Sequence, residues 1–175
     1  RVITGAINTF GNIHTALCHV GIVTTVKLLE VDVDEWDTVM AINLRAAMLL
    51  AQASANHMLA EGIKGQVIFT TSWVSETPWP EIGPYHTSKA GMNQLMRGFA
   101  RELAADGIRA NAIAPGIVGA GMAKRQWDTD PDYKARAQKA IPLGYLQPVD
   151  TVADAFLFMC SPASSYMTGS VLFVD

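Results

Sequence analysis

The sequence has little cysteine, no surplus of basic residues and no long hydrophobic run. Cys18 and Cys160 stand far apart without a CxxC pair, so neither a disulfide framework nor a thiolate metal site is expected, and a reducing, cytoplasmic setting fits best. Thirteen Lys and Arg against sixteen Asp and Glu give a net charge of -3. The basic residues are scattered, with no stripe to meet a phosphate backbone, so nucleic acid is not an expected partner. The longest apolar-leaning stretch, 46–55, is broken by Gln52 and Ser54 and falls short of the roughly 20 residues that cross a bilayer, so no membrane is expected either. Repeats and low-complexity tracts are absent. The sequence opens on Arg1 rather than Met, shows no basic-then-apolar leader, and stops straight after a strand-like run. A longer parent polypeptide is expected.

What is present is a core. Half of the 175 residues are hydrophobic and 17% are charged, which is the composition of one packed domain spanning 1–175. Short β-like runs alternate with longer helix-like ones, an α/β signature. Strands are expected at 13–20, 67–71, 108–114 and 171–174. Helices are expected at 35–60, capped by Asp34, from Pro84 to the Asp106-Gly107 stop, at 131–139, and from an Asp150 cap to about Met159. The strands are continuously apolar rather than alternating, so both sheet faces are covered and the sheet is parallel. Its ligands belong at the carboxyl ends of the strands.

The chemistry-bearing residues are Ser72, Tyr85 and Lys89. Tyr85 and Lys89 are four apart and so share a helix face, and that face is also the apolar one. A phenol and an ammonium in a hydrophobic stripe are costly unless they serve each other or a ligand. Their joint use would be acid–base work on an alcohol or ketone, with Lys89 stabilising the Tyr85 phenolate. At ~6 Å and an effective dielectric near 20 the attraction is about 2–3 kcal/mol, which would bring Tyr85 much nearer neutrality. Ser72, just past a strand, could hydrogen-bond the substrate oxygen and position it. A bare Tyr-x-x-x-Lys is equally the pattern of a half-buried tyrosine with a snorkelling lysine.

The wider context carries a resemblance. Thr71-Ser72, Tyr85-His-Thr-Ser-Lys89-Ala-Gly91 and Ile108-Arg-Ala-Asn-Ala-Ile-Ala-Pro-Gly116, with serine thirteen residues before tyrosine, resemble the short-chain dehydrogenase/reductase family. Phe10-Gly11, Ala41-Ile-Asn43-Leu44 and the run 171–175 extend the resemblance over the chain. It implies a three-layer αβα, Rossmann-like, doubly wound parallel sheet, here incomplete at its N-terminus. It implies an oxidoreductase that uses NAD or NADP to move a hydride to or from a small secondary alcohol or ketone, with a sugar or polyol as one candidate. Under it Asn43, Ser72, Tyr85 and Lys89 are catalytic. His19, Val20, Gly21, Asn43, Tyr85, Lys89, Pro115, Gly116 and Val118 border the cofactor. A homo-oligomer, tetramer or dimer, is implied as well.

Departures from the family pattern are visible. Asn-Asn-Ala-Gly is replaced by Cys18-His19-Val20-Gly21, His14 stands in place of an acidic residue, and Ala120 in place of a threonine that contacts nicotinamide. The strand, glycine-rich turn and helix that hold the pyrophosphate are not in the sequence, and Gly116, Gly119 and Gly121 have the wrong spacing to replace them, reading instead as a flexible loop. Trp73, Trp79, Met122 and Trp127 are read either as an aromatic wall for a neutral cyclic or polyhydroxylated substrate, or as loop anchors. His86 either lines the substrate mouth or is exposed. Asp128, Asp130 and Asp132 read as a helix start rather than a metal cage. Cys18, His14 and His19 alternate faces and do not converge on a metal. Two further readings stay open: a degenerate or truncated scaffold without dehydrogenase activity, and a 3-oxoacyl thioester reductase, which would need a basic patch for its carrier.

Overall fold

The computed structural model describes residues 2–175. Strands form where β-branched, aromatic or small apolar residues run together: β1 (Thr15–Cys18), β2 (Gln66–Thr70), β3 (Arg109–Pro115) and β4 (Val171–Val174). They make one sheet in the order β1-β2-β3-β4 with every neighbouring pair parallel. Leu17 sits opposite Ile68, Ile68 opposite Asn111, and Ile113 opposite Leu172. Every residue of β2 is buried, as a strand covered on both faces must be.

Helices cover those faces as expected for a three-layer αβα sheet. On one side lie α3 (Ala46–Ala60) and α4 (Gly83–Leu103), with α2 (Val33–Met40) packed against α4. There Val67, Phe69, Ala110 and Ala112 meet Ala47, Ala51, Met92 and Met96. The alanines on strand and helix let the backbones approach closely. On the other side α7 (Val149–Cys160) sets Ala155 and Met159 against Ile68 and Ile113. β1 is at the sheet edge, where Leu17 remains 44% exposed.

Helix boundaries correct several expectations. Asp32, not Asp34, caps α2: its carboxylate accepts the Asp34 N–H at 2.7 Å, and Asp34 and Glu35 occupy the first turn, where negative charge suits the helix dipole. α2 then passes into α3 through a π turn, Ala41–Arg45, where an unbroken α-helix was expected. Val33–Ala60 as a whole, with a mean hydropathy of 1.2 in its most apolar window, is long and apolar enough to cross a bilayer, which the stretch 46–55 alone is not. Its place in this fold is on the sheet, with Ala47, Ala51, Ala55 and Met58 buried.

Pro84 sits in the first turn of α4, and a short 3-10 turn closes that helix onto Gly107, whose φ of +74° calls for glycine. Asp130 caps α6 (Pro131–Ala140), accepting the N–H groups of Asp132 and Tyr133 at 3.0 Å, so the aspartate run is a helix start. Pro148 holds the cap position of α7, and Asp150, expected there, lies inside the first turn. Two helices have no counterpart in the sequence reading: α1 (Val2–Phe10) and α5 (Gly121–Thr129). The glycines at 116, 119 and 121 signal a loop, yet Gly121 opens α5.

Candidate active site

The carboxyl ends of β1, β2 and β3 border a cavity of about 330 Å³, and Ser72, Tyr85 and Lys89 all reach its wall. Ser72 follows β2 in extended backbone and caps the 3-10 turn Trp73–Ser75, its Oγ accepting the Val74 N–H at 3.4 Å. Tyr85 and Lys89 come from the first two turns of α4. The Lys89 ammonium lies 5.5 Å from the centre of the Tyr85 ring and donates to the Thr70 carbonyl at 2.8 Å. Lys89 is only 3% exposed, and burial pushes its ammonium down to about 8.

Burial also pushes the Tyr85 phenol above its ordinary range, with the neighbouring Ser72 hydroxyl acting in the opposite direction. The expectation of a phenol drawn toward neutrality by Lys89 is therefore corrected. Desolvation disfavours the phenolate more than the surroundings support it.

Asn43 lies behind the cavity rather than on it. Fully buried in the π turn, it accepts the Ile22 N–H at 2.8 Å and donates to the Ile22 carbonyl at 2.8 Å and to Ser88 Oγ at 3.0 Å. Ser88 Oγ in turn donates to the Tyr85 carbonyl at 2.7 Å. A bulged helical turn often marks a functional position, and here it aims one amide at both the loop after β1 and the start of α4. Ser88 was not singled out from the sequence; its position three residues after Tyr85, one turn along the helix, was the available signal.

Gly21 brings the loop after β1 close to the Lys89 ammonium. A Cβ there would stand 3.3 Å from Lys89 Nζ and 3.4 Å from Asn43 Oδ1, so the glycine keeps open the space beside the ammonium. His19 also borders the cavity, its Nδ1 hydrogen-bonded to Thr70 Oγ1 at 3.0 Å and its ring edge-on to Phe156. Val20 is off the wall and 74% exposed.

Pro115, Gly116 and Val118 line the far side. Gly116 has a packing reason of its own, because a Cβ there would come within 2.9 Å of the Asp175 backbone.

Trp73, Trp79 and Met122 line the cavity, and Tyr133, which no sequence signal marked, completes the row. Trp73 meets Trp79 edge-on at 5.5 Å, and Trp79 meets Tyr133 edge-on at 6.4 Å. His86 is half-buried and off the wall. Trp127 lies on α5, likewise off the wall, with the Lys134 ammonium over its ring. A second, more apolar cavity of about 260 Å³ adjoins the first and shares Trp73, Gly116 and Ile117 with it. Among the described residues no cluster of His, Cys, Asp or Glu could hold a metal ion.

A hydroxyl, a phenol and a buried ammonium around one cavity above a parallel sheet can be compared with known proteins. A family model described as enoyl-(acyl carrier protein) reductase matches residues 1–175. The chain belongs to the short-chain dehydrogenase/reductase family. It is 32% identical over 170 residues to 3beta-hydroxysteroid dehydrogenase 1 of Eggerthella lenta, covering 97% of this chain and 65% of that protein. It is 29% identical over 175 residues to glucose 1-dehydrogenase of Gluconobacter oxydans, covering 100% of this chain and 65% of the relative. A short-chain type dehydrogenase/reductase from Mycobacterium marinum superposes with a TM-score of 0.90 at 31% identity, over 99% of this chain and 67% of that one. This member of the short-chain dehydrogenase/reductase family spans about 65% of the length of the two curated relatives.

Proposed function

We propose that this protein uses NAD or NADP to move a hydride to or from the carbinol carbon of a small secondary alcohol or ketone, sugars and polyols included. The observation that carries the proposal is the convergence of Ser72, Tyr85 and Lys89 on one cavity, with Asn43 and Ser88 bracing the helix that bears two of them. Tyr85 would give or take the proton of the substrate oxygen, and Ser72 would hydrogen-bond the same oxygen so that it faces the phenol. When bound, the nicotinamide supplies the hydride acceptor or donor.

The residues present fit the nicotinamide–ribose half of such a cofactor. Lys89 has three N–H donors, and the described residues offer one acceptor, the Thr70 carbonyl, leaving two for ribose hydroxyls. Gly21 leaves room beside them, with His19, Pro115, Gly116 and Val118 as the surrounding wall. No residue is assigned to the pyrophosphate. The row of Trp73, Trp79 and Tyr133 supports a neutral ring as substrate, since a sugar or cyclic alcohol lays its C–H face on an indole while its hydroxyls find polar groups.

The proposal places the protein in the cytoplasm as a homo-oligomer, tetramer or dimer. Two unpaired thiols agree with a reducing compartment, and Leu49 and Leu59 on the outer side of α3 offer apolar surface for a second copy.

Binding of NADH and NADPH, followed by their fluorescence, and turnover of a panel of secondary alcohols test the reading. Tyr85→Phe is expected to abolish turnover while the far-ultraviolet circular dichroism stays unchanged. Binding of neither cofactor would favour a scaffold without dehydrogenase activity, and a retained rate in Tyr85→Phe would remove the phenol from its role. Preference for acyl thioesters would favour the reductase reading instead.

A further inference from the structure

Asn93 lies four residues beyond Lys89 and eight beyond Tyr85, on the same face of α4. It is almost fully buried, and its Nδ2 donates to Ser75 Oγ at 2.9 Å and to Glu76 Oε1 at 3.3 Å. Ser75 and Glu76 belong to the turn that begins at Ser72: the Ser75 N–H donates to the Ser72 carbonyl at 2.9 Å and the Glu76 N–H to the Trp73 carbonyl at 3.2 Å. Before this turn, Thr71 is held to β3 by bonds from its N–H and hydroxyl to the Ile113 carbonyl. Asn93 thus hydrogen-bonds the far end of the turn to α4, while the Ser72 hydroxyl meets Tyr85 at its start.

We propose that Asn93 is a positioning residue that fixes the Ser72 turn against the helix carrying Tyr85 and Lys89, and so sets the relation of the Ser72 hydroxyl to the phenol. The proposal rests on the oxidoreductase reading above.

Polarity at this position is costly. Asn93 Oδ1 is buried without a partner, while its neighbours Met92 and Met96 pack the helix with apolar side chains. An apolar residue would avoid the orphaned carbonyl, so the amide is better explained by the geometry it imposes than by stability. Glu76 decides which way the amide points. Turned through half a circle, it would set Oδ1 against the Glu76 carboxylate.

The readouts are kcat and KM, the pH profile of kcat, and the titration of Tyr85 by phenolate absorbance with a Tyr85→Phe protein as the blank. The Ser72 hydroxyl favours the phenolate, so a loosened turn moves the Tyr85 titration to higher pH. The other titratable or charged groups bordering the Tyr85 cavity are Lys89 on its own helix, His19 after β1, Glu81 before α4, and Tyr133 and Arg136 on α6; Glu76 lies in the turn itself. All stay in place in the variants except Glu76 where stated.

Asn93→Leu adds no charge. It is expected to fold, to lose roughly 10- to 100-fold in kcat with a smaller change in KM, and to show the alkaline shift. Asn93→Asp, which sets a carboxylate against Glu76, is expected to do the same. The double variant Asn93→Asp with Glu76→Gln restores a donor–acceptor pair of reversed polarity and is expected to recover most of the rate and the original titration. A folded Asn93→Leu protein with wild-type kcat and titration, or a folded double variant that recovers nothing beyond Asn93→Asp, would overturn the proposal. Absence of turnover in the unmodified protein would instead overturn the oxidoreductase reading, and the Tyr85 titration would still decide the role of Asn93.

Discussion

Replacing Lys89 with Met should stabilise the protein while disabling it. The ammonium is 3% exposed and its pKa falls from 10.5 to about 8 on burial. At 1.36 kcal/mol for each factor of ten, that is a penalty of about 3 kcal/mol for keeping the group charged in the fold at pH 7. Methionine fills much the same volume without the charge, but forfeits the charge-assisted bond to the Thr70 carbonyl, worth about 1.5–3 kcal/mol. The expected net gain at pH 7 is roughly 0–1.5 kcal/mol, or up to about 6 °C in Tm for a chain of this size.

The sign of the pH dependence separates this from generic packing. Between about 8 and 10.5 the unfolded chain still holds the lysine proton and the folded chain has released it, so the unfolded state binds more protons and wild-type stability rises with pH across that window. The penalty is complete below pH 8 and gone above 10.5. Lys89→Met has no such rise, so its advantage shrinks and then reverses. Urea unfolding of both proteins at neutral and alkaline pH, without cofactor so that ligand binding adds nothing, measures the difference. A variant less stable than the wild type by the same amount at both pH values would refute the burial argument.

Two further outcomes follow from single contacts. Asn43→Leu removes three hydrogen bonds and strands the Ile22 amide and carbonyl, which should cost roughly 2–4 kcal/mol in chemical denaturation; a loss under about 1 kcal/mol would show that the loop after β1 is held by other means. Cys18 is buried, with its thiol pushed up to about 12, whereas Cys160 is exposed, so brief iodoacetamide treatment of the folded protein should label Cys160 alone in a peptide map. Equal labelling of the two would contradict the burial of Cys18.

How far such features can be read without coordinates depends on whether their cause is local. β4 occupies the expected 171–174, and β2 and β3 are each displaced by one residue, because an apolar run between turn-formers is visible in a short window. The parallel sheet followed from the same runs, since a strand without polar alternation must be covered twice. Tyr85 and Lys89 share a face because a helix repeats, which spacing alone reveals. Nothing local marks Asn43 as the residue that ties Ile22 to Ser88, since its partners lie 21 and 45 positions away. The glycines before α5 point the wrong way for a similar reason. Gly116 answers to the approach of the chain around Asp175, a long-range contact, and not to looseness of its own segment.

The largest gap between spacing and structure concerns the phenol. A Coulomb attraction of about 2–3 kcal/mol counts the benefit of the pair and omits the cost of drying it. The ammonium does lie beside the ring, 5.5 Å from its centre, so the pair is adjacent as the spacing implied. The expectation fails on solvation: Lys89 is almost fully buried and Tyr85 partly so, and burial displaces each toward its uncharged form, the phenol upward and the ammonium downward. The Thr70 carbonyl engages one donor of the ammonium, and within the chain the Ser72 hydroxyl is what acts for the phenolate. A tyrosine and a lysine one helical turn apart therefore do not by themselves make an acidic phenol. The helix sets their separation, the sheet and its loops set the medium between them, and in this protein the medium prevails.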